Sequence, residues 1–350
     1  MKRNQQLWAA LIAASLLAPC MATAQPNAVT NRLTFSARFG LNISGKFSGT
    51  APFAMPTPSR TTPDGDNYNY DDGYVLPDVS GSGDGYTWYW GYDDSGSQMS
   101  AANNTILLSR STGMANLRSP AMDDDPSLGG ELTYSHELGT KGDFRFGFEA
   151  ALNYLNISLG ANSPYSLNAT RVRDAYAYTP GTTPPSATPG DPYQGSFDGP
   201  GYVIGTTPVS STTSAGAAVG TVTGSRDLDA DLWGGRIGPY VEFYLDDDVS
   251  VSLSGGLAVG WLHNSVSWNE TIAFTGGGTQ VDAGSGDDNA LLVGGYVAAN
   301  LYWRLSECWT AAGSIQYQNL GTYDESFGTR RAELDLSNSF FVTIGVSYNF

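Results

Sequence analysis

The last eleven residues of the chain, Phe340–Phe350, read FFVTIGVSYNF and carry the clearest structural signal in the sequence. Every second side chain in this segment is large and apolar, and those between them are mostly small or polar. A period of two predicts a β-strand whose two faces meet different surroundings. The length of eleven residues also matches the ~9–11 residues with which a tilted strand crosses a bilayer.

The same alternation recurs along the chain. From Leu33 to Ser44 the odd positions are apolar and the even positions are polar or glycine. Further alternating stretches lie at Phe144–Tyr154, Trp233–Leu245, Val249–Trp261, Leu291–Leu305 and Trp309–Tyr317, with a weaker one at Gly130–Leu138. The strands of a soluble β-sandwich also alternate, so these stretches predict strands without saying what covers their apolar faces.

The N-terminus has the features of an export signal. Lys2 and Arg3 form a short positive region, Leu7–Leu17 is apolar but too short to span a bilayer, and Ala22–Ala24 ends in a small-x-small cleavage site. We therefore expect a signal peptide at residues 1–24 and one mature domain at residues 25–350.

Composition narrows the class of protein. The 350 residues carry a formal net charge of -17, which argues against a nucleic-acid partner because phosphate binding needs clustered Lys and Arg. No long apolar run follows the N-terminal segment, so a polytopic helical membrane protein is excluded. Only 15% of residues are charged and 43 are Gly, which does not fit a coiled coil or a helical bundle.

The terminal strand resembles that of outer-membrane β-barrel proteins of Gram-negative bacteria, whose last strand typically ends in Phe. The resemblance covers the signal peptide and most of the strands, but not the long loops. It implies an all-β, antiparallel up-and-down transmembrane β-barrel in the cell outer membrane, with the lipid bilayer around it. It also implies that the barrel-assembly machinery reads the apolar face of the last strand, formed by Phe340, Val342, Ile344, Val346, Tyr348 and Phe350.

The connections between the strands predict the topology. The short ones are residues 139–143, 246–248 and 306–308, and the long ones are about 45–127, 158–227, 265–289 and 322–335. Short periplasmic turns and long external loops are typical of this fold. Three short turns and four long loops make seven connections, which join eight strands. Residues 86–92 with 105–109, and 167–178 with 202–209, are candidates for extra hairpins. If these enter the membrane, the barrel has ten or twelve strands.

The inward faces of the strands carry equal numbers of positive and negative side chains. These are Arg38, Arg145, Arg236 and Arg304, with Glu131, Glu137, Glu149 and Glu242. Because an unpaired ion in a narrow lumen is costly, we expect them to form a salt-bridged network. An eight-stranded interior is just wide enough for its own side chains, which predicts a packed plug. A narrow porin for small solutes is the alternative, and ten or twelve strands would favour it.

Carboxylates are concentrated in the predicted external loops. The clusters are Asp64, Asp66, Asp71 and Asp72, then Asp123–Asp125, then Asp287 and Asp288. They offer oxygen ligands for Ca²⁺ or Mg²⁺, but none has EF-hand spacing, so we predict solvated loops and no metal site or cofactor.

The first long loop also holds a dense aromatic run. Its rings are Tyr86, Trp88, Tyr89, Trp90 and Tyr92. They are candidates for stacking on a glycan or a partner protein. The other interpretation, which we favour, is a strand packed inside a folded loop, because a long ordered loop must bury something.

One pair of residues suggests chemistry. His263 and Ser265 share a strand face, so the imidazole has a serine hydroxyl within its reach. This resembles outer-membrane lipid A deacylases, which carry a His-x-Ser pair on the lipid-facing wall, and Glu270 would be the orienting acid. Nothing else matches that family, and no P-loop, HExxH motif or nucleophile elbow is present. We therefore predict no catalytic residues and a structural or surface-interaction role through the loops, with the porin as the alternative and a lipid A acyl hydrolase third.

Overall fold

The computed structural model describes residues 31–51, 60–123, 125–142, 144–274 and 279–350. The predicted signal peptide lies outside these residues. No helix within them is long and apolar enough to cross a membrane.

The described residues form twenty β-strands and one short helix. In chain order they are β1 (Asn31–Leu41), β2 (Ser44–Ala51), β3 (Gly73–Val75), β4 (Tyr86–Thr87), β5 (Trp90–Tyr92), α1 (Ser95–Gln98), β6 (Met99–Ser100), β7 (Thr105–Arg118), β8 (Met122–Asp123), β9 (Ser127–Lys141), β10 (Phe144–Ala161), β11 (Tyr165–Ala177), β12 (Tyr193–Gln194), β13 (Ile204–Gly205), β14 (Ser210–Tyr244), β15 (Val249–Phe274), β16 (Thr279–Arg304), β17 (Trp309–Asn319), β18 (Thr322–Phe327), β19 (Arg330–Asp335) and β20 (Ser339–Asn349).

Eight of these strands close into a ring in the order β1, β9, β10, β14, β15, β16, β17 and β20. Every pairing is antiparallel, and β20 pairs with β1 to complete the circle. Ring order follows chain order, so the predicted up-and-down antiparallel barrel with eight strands is confirmed.

The ten- and twelve-stranded alternatives are wrong. Of the candidate extra segments, residues 105–109 lie in β7 and residues 167–177 in β11; β7 pairs with β11, and β11 pairs also with residues 210–222 of β14. Residues 86–92 and 202–209 contain β4, β5 and β13, which pair in two small separate sheets. All of these segments lie beyond the outer end of the ring and add no strand to it.

The segments predicted as external loops are largely strands. β14, β15 and β16 are 35, 26 and 26 residues long, and they continue past the ring. Beyond it the sheet runs in the order β16, β15, β14, β11, β7, β2, β19 and β18. The predicted loop at 265–289 is therefore wrong at residues 265–274 and 279–289, because β15 and β16 are paired from Ala273 and Thr279 toward the ring. Residues 275–278 lie outside the described residues.

Along the barrel the outward face changes from apolar to polar, and at the same level the inward face changes from polar to apolar. On β15 the outward side chains of Leu257 and Trp261 are 66% and 53% exposed, while the inward positions below Trp261 are Ser, Gly or Ala. Beyond Trp261 the outward residues become polar, and Leu262 and Val266 are fully buried inside. An apolar exterior needs hydrocarbon around it, and an apolar interior with a polar exterior needs water. The outer end of the membrane-spanning band therefore lies near Trp261.

Aromatic pairs mark both ends of the apolar band. Tyr154 and Trp233 lie at the outer end, with ring centroids 4.8 Å apart, and Trp309 and Tyr348 lie at the other, 5.2 Å apart. Val251 and Trp261 lie ten positions apart on β15. At about 3.3 Å per residue and a tilt of about 40°, they span about 25 Å, the height of the apolar band in barrels of this kind.

Candidate functional site

The barrel interior contains a buried ion network at the level of the membrane. Glu242, near the end of the barrel that carries the short turns, accepts from Arg32 at 3.1 Å and from Arg145 at 2.7 Å. Arg145 also pairs with Glu137 at 3.7 Å. The single negative charge of Glu242 is therefore shared between the positive charges of Arg32 and Arg145.

A second group lies deeper in the barrel. Glu131 pairs with both Arg38 and Arg236, and Arg236 also pairs with Glu149. The side chains of Arg38, Glu131 and Arg236 are at most 3% exposed. The Arg38 guanidinium also donates to the amide oxygens of Gln316 and Gln318, at 3.4 and 3.1 Å. A small polar cavity adjoins these ions, lined by residues that include Thr34, Asn300 and Ser314.

The structure brings together seven of the eight charged residues singled out from the sequence. Arg304 does not join them: it is exposed at the end of β16, and its backbone N–H donates to Asp248. At the last position of the strand its side chain reaches water instead of the lumen. Arg32 joins the network although sequence reasoning missed it. Because residues two apart share a strand face, counting back from Arg38 would have identified it.

An apolar plug fills the barrel directly outside the ion network. Phe341 is 1% exposed and lies 3.7 Å from the Arg38 guanidinium, and Tyr296 lies 4.9 Å from that of Arg236. Outward of these rings the plug continues through buried side chains from β2 and the residues just before it, from β10, β14 and β15, and from the segments between β17 and β20. They include Ile43, Phe47, Leu155, Ile157, Leu228, Leu232, Leu262, Leu334 and Leu336.

A second buried ion cluster lies beyond the plug. Glu270 pairs with Arg226 at 3.3 Å and with Arg330, and Arg330 also pairs with Asp282 at 2.7 Å. Tyr165 donates to Glu270 at 3.2 Å, and burial raises the pKa of this phenol to about 12. Another apolar cluster, around Leu167, covers the far side. Charged, apolar, charged and apolar layers thus alternate along the axis.

The proposed catalytic triad is not assembled. His263 and Ser265 face outward just beyond Trp261, as their spacing predicts, and His263 Nδ1 lies 2.9 Å from Asn289. Glu270 faces inward and is 1% exposed in its ion cluster. An odd and an even position on one strand point to opposite faces, so Glu270 is wrong as the orienting acid.

The segments at 60–104 and 178–209 fold together into what we name the cap. β3, β5 and β12 form a small sheet, and β4 pairs with β13. Its interior is mostly aromatic: the Trp90 ring packs on Tyr92, Tyr193 and Tyr202, with the indole N–H donating to the Tyr202 carbonyl at 2.7 Å. Burial raises the pKa of Tyr70, which donates to Asp174 at 2.8 Å.

Most of the candidate surface aromatics are in fact interior. Tyr89, Trp90 and Tyr92 are each at most 1% exposed, so a binding role for these three rings is wrong. Tyr86 is 52% exposed and Trp88 is partly exposed. The reason is that both faces of the run are covered at its C-terminal end: Tyr89 packs against Tyr74 on one side, and Trp90 and Tyr92 pack against Tyr193 on the other.

The acidic residues of the cap accept hydrogen bonds instead of lying free in solvent. Asp64 accepts from the Phe197 N–H at 2.7 Å, Asp66 from the Tyr89 hydroxyl at 2.8 Å, and Asp72 from the Ser109 N–H at 2.6 Å. Asp71 accepts from Ser111 at 2.8 Å. The prediction of simply solvated loops is therefore wrong here, because these carboxylates connect the cap to itself and to β7.

The other acidic clusters are dispersed. Asp125 accepts from the Asn42 N–H at 2.9 Å, and Asp124 lies outside the described residues. Asp287 is exposed and Asp288 accepts from the Tyr323 hydroxyl. Across the part of the chain that the structure describes, no group of three or more His, Cys, Asp or Glu is arranged to hold a metal ion.

The terminal strand occupies the position where the ring closes. β20 lies between β1 and β17, and Phe340, Ile344 and Phe350 project outward with 44%, 66% and 53% of their surfaces exposed. The Phe350 N–H donates to the Asn31 carbonyl at 2.9 Å.

The chain resembles several solved structures at low sequence identity. No protein-family model matches, and no curated protein matches the sequence. Among solved structures, the outer membrane protease OmpT from Escherichia coli is 11% identical, covers 93% of this chain and 99% of its own, and has a TM-score of 0.36. The outer membrane protein OprG from Pseudomonas aeruginosa is 10% identical, with coverages of 92% and 96% and a TM-score of 0.34. Ail, the attachment invasion locus protein of Yersinia pestis, is 8% identical, with coverages of 92% and 99% and a TM-score of 0.27 in complex with a heparin analogue.

Likenesses this distant assign no activity. The closed ring of eight antiparallel strands and the exposed apolar band are properties of this chain's own structure. They give it the fold of an outer-membrane β-barrel protein.

Proposed function

We propose that this chain is a non-conducting, non-enzymatic protein of the cell outer membrane, whose barrel carries the cap at the cell surface for interaction with other molecules. The observation that carries this proposal is the filled interior. Ionic and apolar layers alternate along the axis, and the side chains at their centres, Arg38, Phe341, Leu262 and Arg226, are at most 1% exposed.

The energetics of the interior favour a plug over a pore. In a water-filled lumen, ion pairs would gain little, because solvent screens them. Here each buried carboxylate of the deeper group has at least one guanidinium partner, and aromatic rings cover Arg38 and Arg236. Ions buried away from water are tolerated only where opposite charges lie close by, so this paired arrangement suits a filled interior.

The charge of the cap suits a surface role. The described cap contains ten Asp and one basic residue, Arg60. Its aromatic interior keeps it ordered far from the membrane. An ordered acidic surface attracts cationic partners and steers their approach, an effect that salt weakens.

Export and assembly follow the same reasoning as the fold. We propose that residues 1–24 direct export and that the apolar face of β20 directs insertion by the barrel-assembly machinery. The support is the sequence pattern of each segment and the position of β20 at the closure of the ring.

Conductance in planar bilayers tests the non-conducting role. Full-length protein, inserted at densities that give clear openings for a known porin, should produce no discrete, reproducible openings. Regular openings of constant size would overturn the proposal in favour of the narrow porin.

A second experiment tests the surface role. Cells producing the protein should be retained on a cationic polymer surface more strongly than cells lacking it, and added salt should abolish the difference. Replacing the exposed Asp191 and Asp198 with Asn should reduce retention, because it removes two negative charges from the surface of the cap. The cap should stay folded, since neither residue lies in its aromatic interior. Equal retention with and without the protein would contradict the proposed role of the cap.

A further inference from the structure

The outer half of β16 has an unpaired edge. β16 pairs with β15 from Thr279 to Trp303, but with β17 only from Gly295 to Arg304. Among the described strands, residues 279–294 therefore have a ladder on one side only. β17 ends at Asn319, the chain bends at Gly321 with a φ of +78°, and β18 leaves the line that would have continued the pairing.

Exposure confirms that this edge is open. The inward positions Asp282, Gly284, Gly286 and Asp288 of β16 are all partly exposed. On β15, the facing inward residues Val266, Trp268 and Glu270 are buried. Because glycine has no side chain, the accessible surface of Gly284 and Gly286 belongs to the backbone. At the start of the β16–β17 ladder the Leu305 N–H donates to the Trp309 carbonyl, whereas the Arg304 N–H donates toward β15. With the register unchanged along β16, the backbone groups without a strand partner are those of the odd positions from Thr279 to Val293.

Side chains, and not a hydrogen-bonded ladder, cross the gap between β16 and β18. The Tyr323 hydroxyl donates to Asp288 at 2.9 Å, and Arg330 of β19 reaches Asp282 at 2.7 Å. The Phe327 ring packs so closely over Gly286 that a Cβ there would collide with it. Three separable contacts of this kind are weaker than continuous strand pairing, and an entering strand can displace them.

Both sides of the gap are acidic. Residues 279–294 contain Asp282, Asp287 and Asp288, and β18 contains Asp324 and Glu325, with no Lys or Arg in either segment. Arg330 and Arg331 pair with Asp282 and Asp324. Among the described residues, no ion pair is found for Asp287, Asp288 or Glu325. The edge therefore combines free backbone groups with uncompensated negative charge.

We propose that the free edge of β16 at residues 279–294 binds an extended, basic polypeptide segment by strand addition. Strand addition satisfies the free N–H and C=O groups, and Lys or Arg side chains of the partner face Asp287 outside and Asp288 inside. The added strand continues the line of β17 and runs antiparallel to β16. In the free protein residues of β16 and β18 approach within 8 Å, so strand entry moves β18 outward until the two lie two strand spacings apart, about 9.6 Å. The site lies on the barrel wall, so it is independent of the role proposed for the cap.

The probe is a ten-residue peptide of alternating Lys and Val, added to the full-length protein in lipid nanodiscs. Its first control has the same sequence and charge but N-methyl groups on consecutive residues, which block both backbone edges. Its second control has Glu in place of Lys. Fluorescence anisotropy gives affinity, and hydrogen–deuterium exchange with mass spectrometry locates the site.

The unmodified peptide should slow exchange at residues 279–294. N-methylation should weaken binding at least tenfold, and the Glu peptide should not bind. Asp287→Asn combined with Glu325→Gln should weaken binding several-fold. Asp229→Asn should not, although Asp229 lies at the same height on the outward face of β14.

Four results would overturn the proposal. These are equal binding of the N-methylated peptide, protection at the cap instead of β16, no binding of the Lys peptide, and complete protection of residues 279–294 in the free protein. The first would mean attraction by charge alone, and the last would mean that the edge is already paired.

Discussion

The substitution Glu131→Gln tests whether the barrel interior excludes water. Glu131 compensates Arg38 and Arg236, and all three side chains are at most 3% exposed. Gln keeps the volume of the side chain but removes its charge. Arg236 retains Glu149, so the loss falls mainly on Arg38, which is left with the amide oxygens of Gln316 and Gln318. Breaking a buried pair by removing one partner costs about 3–5 kcal/mol. We expect about 3 kcal/mol here because Arg38 keeps those two acceptors.

The assay is reversible urea unfolding in lipid vesicles, followed by tryptophan fluorescence, with heat-modifiable migration in SDS gels to confirm folding. Asp324→Asn is the matched control, because its pair with Arg331 is about half exposed and screened by solvent, so its loss should cost much less than that of Glu131. The double variant Arg38→Met with Glu131→Leu removes both charges of the pair. Its stability should return to within ~1 kcal/mol of the unmodified protein.

Equal, small losses for Glu131→Gln and Asp324→Asn would refute the reasoning. That result would mean that water screens Glu131 and Arg38 as it screens a surface pair. The plugged barrel, and the non-conducting role with it, would then have to be abandoned.

Three further predictions concern other parts of the chain. Leu257→Arg, on the lipid-facing band, should lower the free energy of unfolding in vesicles by about 2–4 kcal/mol, whereas Ser265→Arg on the same face beyond Trp261 should change it by less than ~1 kcal/mol; similar costs would contradict the boundary. Deleting Phe350 should lower the amount of folded protein in the outer membrane, measured by surface labelling, and unchanged levels would count against its role in assembly. Burial raises the pKa of Asp72, against the opposing hydrogen bonds from Ser109 and the charge of Arg171. The pKa of Asp72 is thus higher in the folded cap than its unfolded value of about 3.9. Asp72 therefore makes the cap lose stability as the pH rises from about 3.9 through the folded pKa. Asp72→Asn should remove this loss in near-ultraviolet circular dichroism melts, and an unchanged pH profile would contradict it.

The ring strands could be predicted from the sequence because lipid imposes a simple rule. Within the membrane every outward residue meets hydrocarbon, so the alternation at Phe340–Phe350 and Leu33–Leu41 is complete. The outer ends of the strands were harder to predict, because the rule changes where lipid gives way to water. Beyond Trp261 the period of two continues, but its phase reverses, with apolar residues at the even positions Leu262, Val266 and Trp268. Reading only the odd positions ends β15 thirteen residues too early, since it runs to Phe274.

The interior and the cap differ in how far the sequence determines them. Residues two apart share a face, so the charged residues of the lumen follow from the strand assignments alone. The cap depends on contacts between distant segments, such as the hydrogen bond from Trp90 to Tyr202, 112 residues away. No local pattern in Tyr86–Tyr92 indicates which rings that second segment covers. The free edge of β16 likewise follows from the bend after β17 and has no local signature.

The exchange of polarity near Trp261 is the central claim, and it can be measured directly on β15. Single spin labels at Leu253, Leu257, Val259, His263, Ser265 and Ser267 all face outward. Their collision rates with oxygen and with a water-soluble nickel complex report lipid and water, respectively. In bilayers the first three labels should collide preferentially with oxygen and the last three with nickel, with the crossover between Val259 and His263. Preferential collision with nickel at all six positions would contradict this claim.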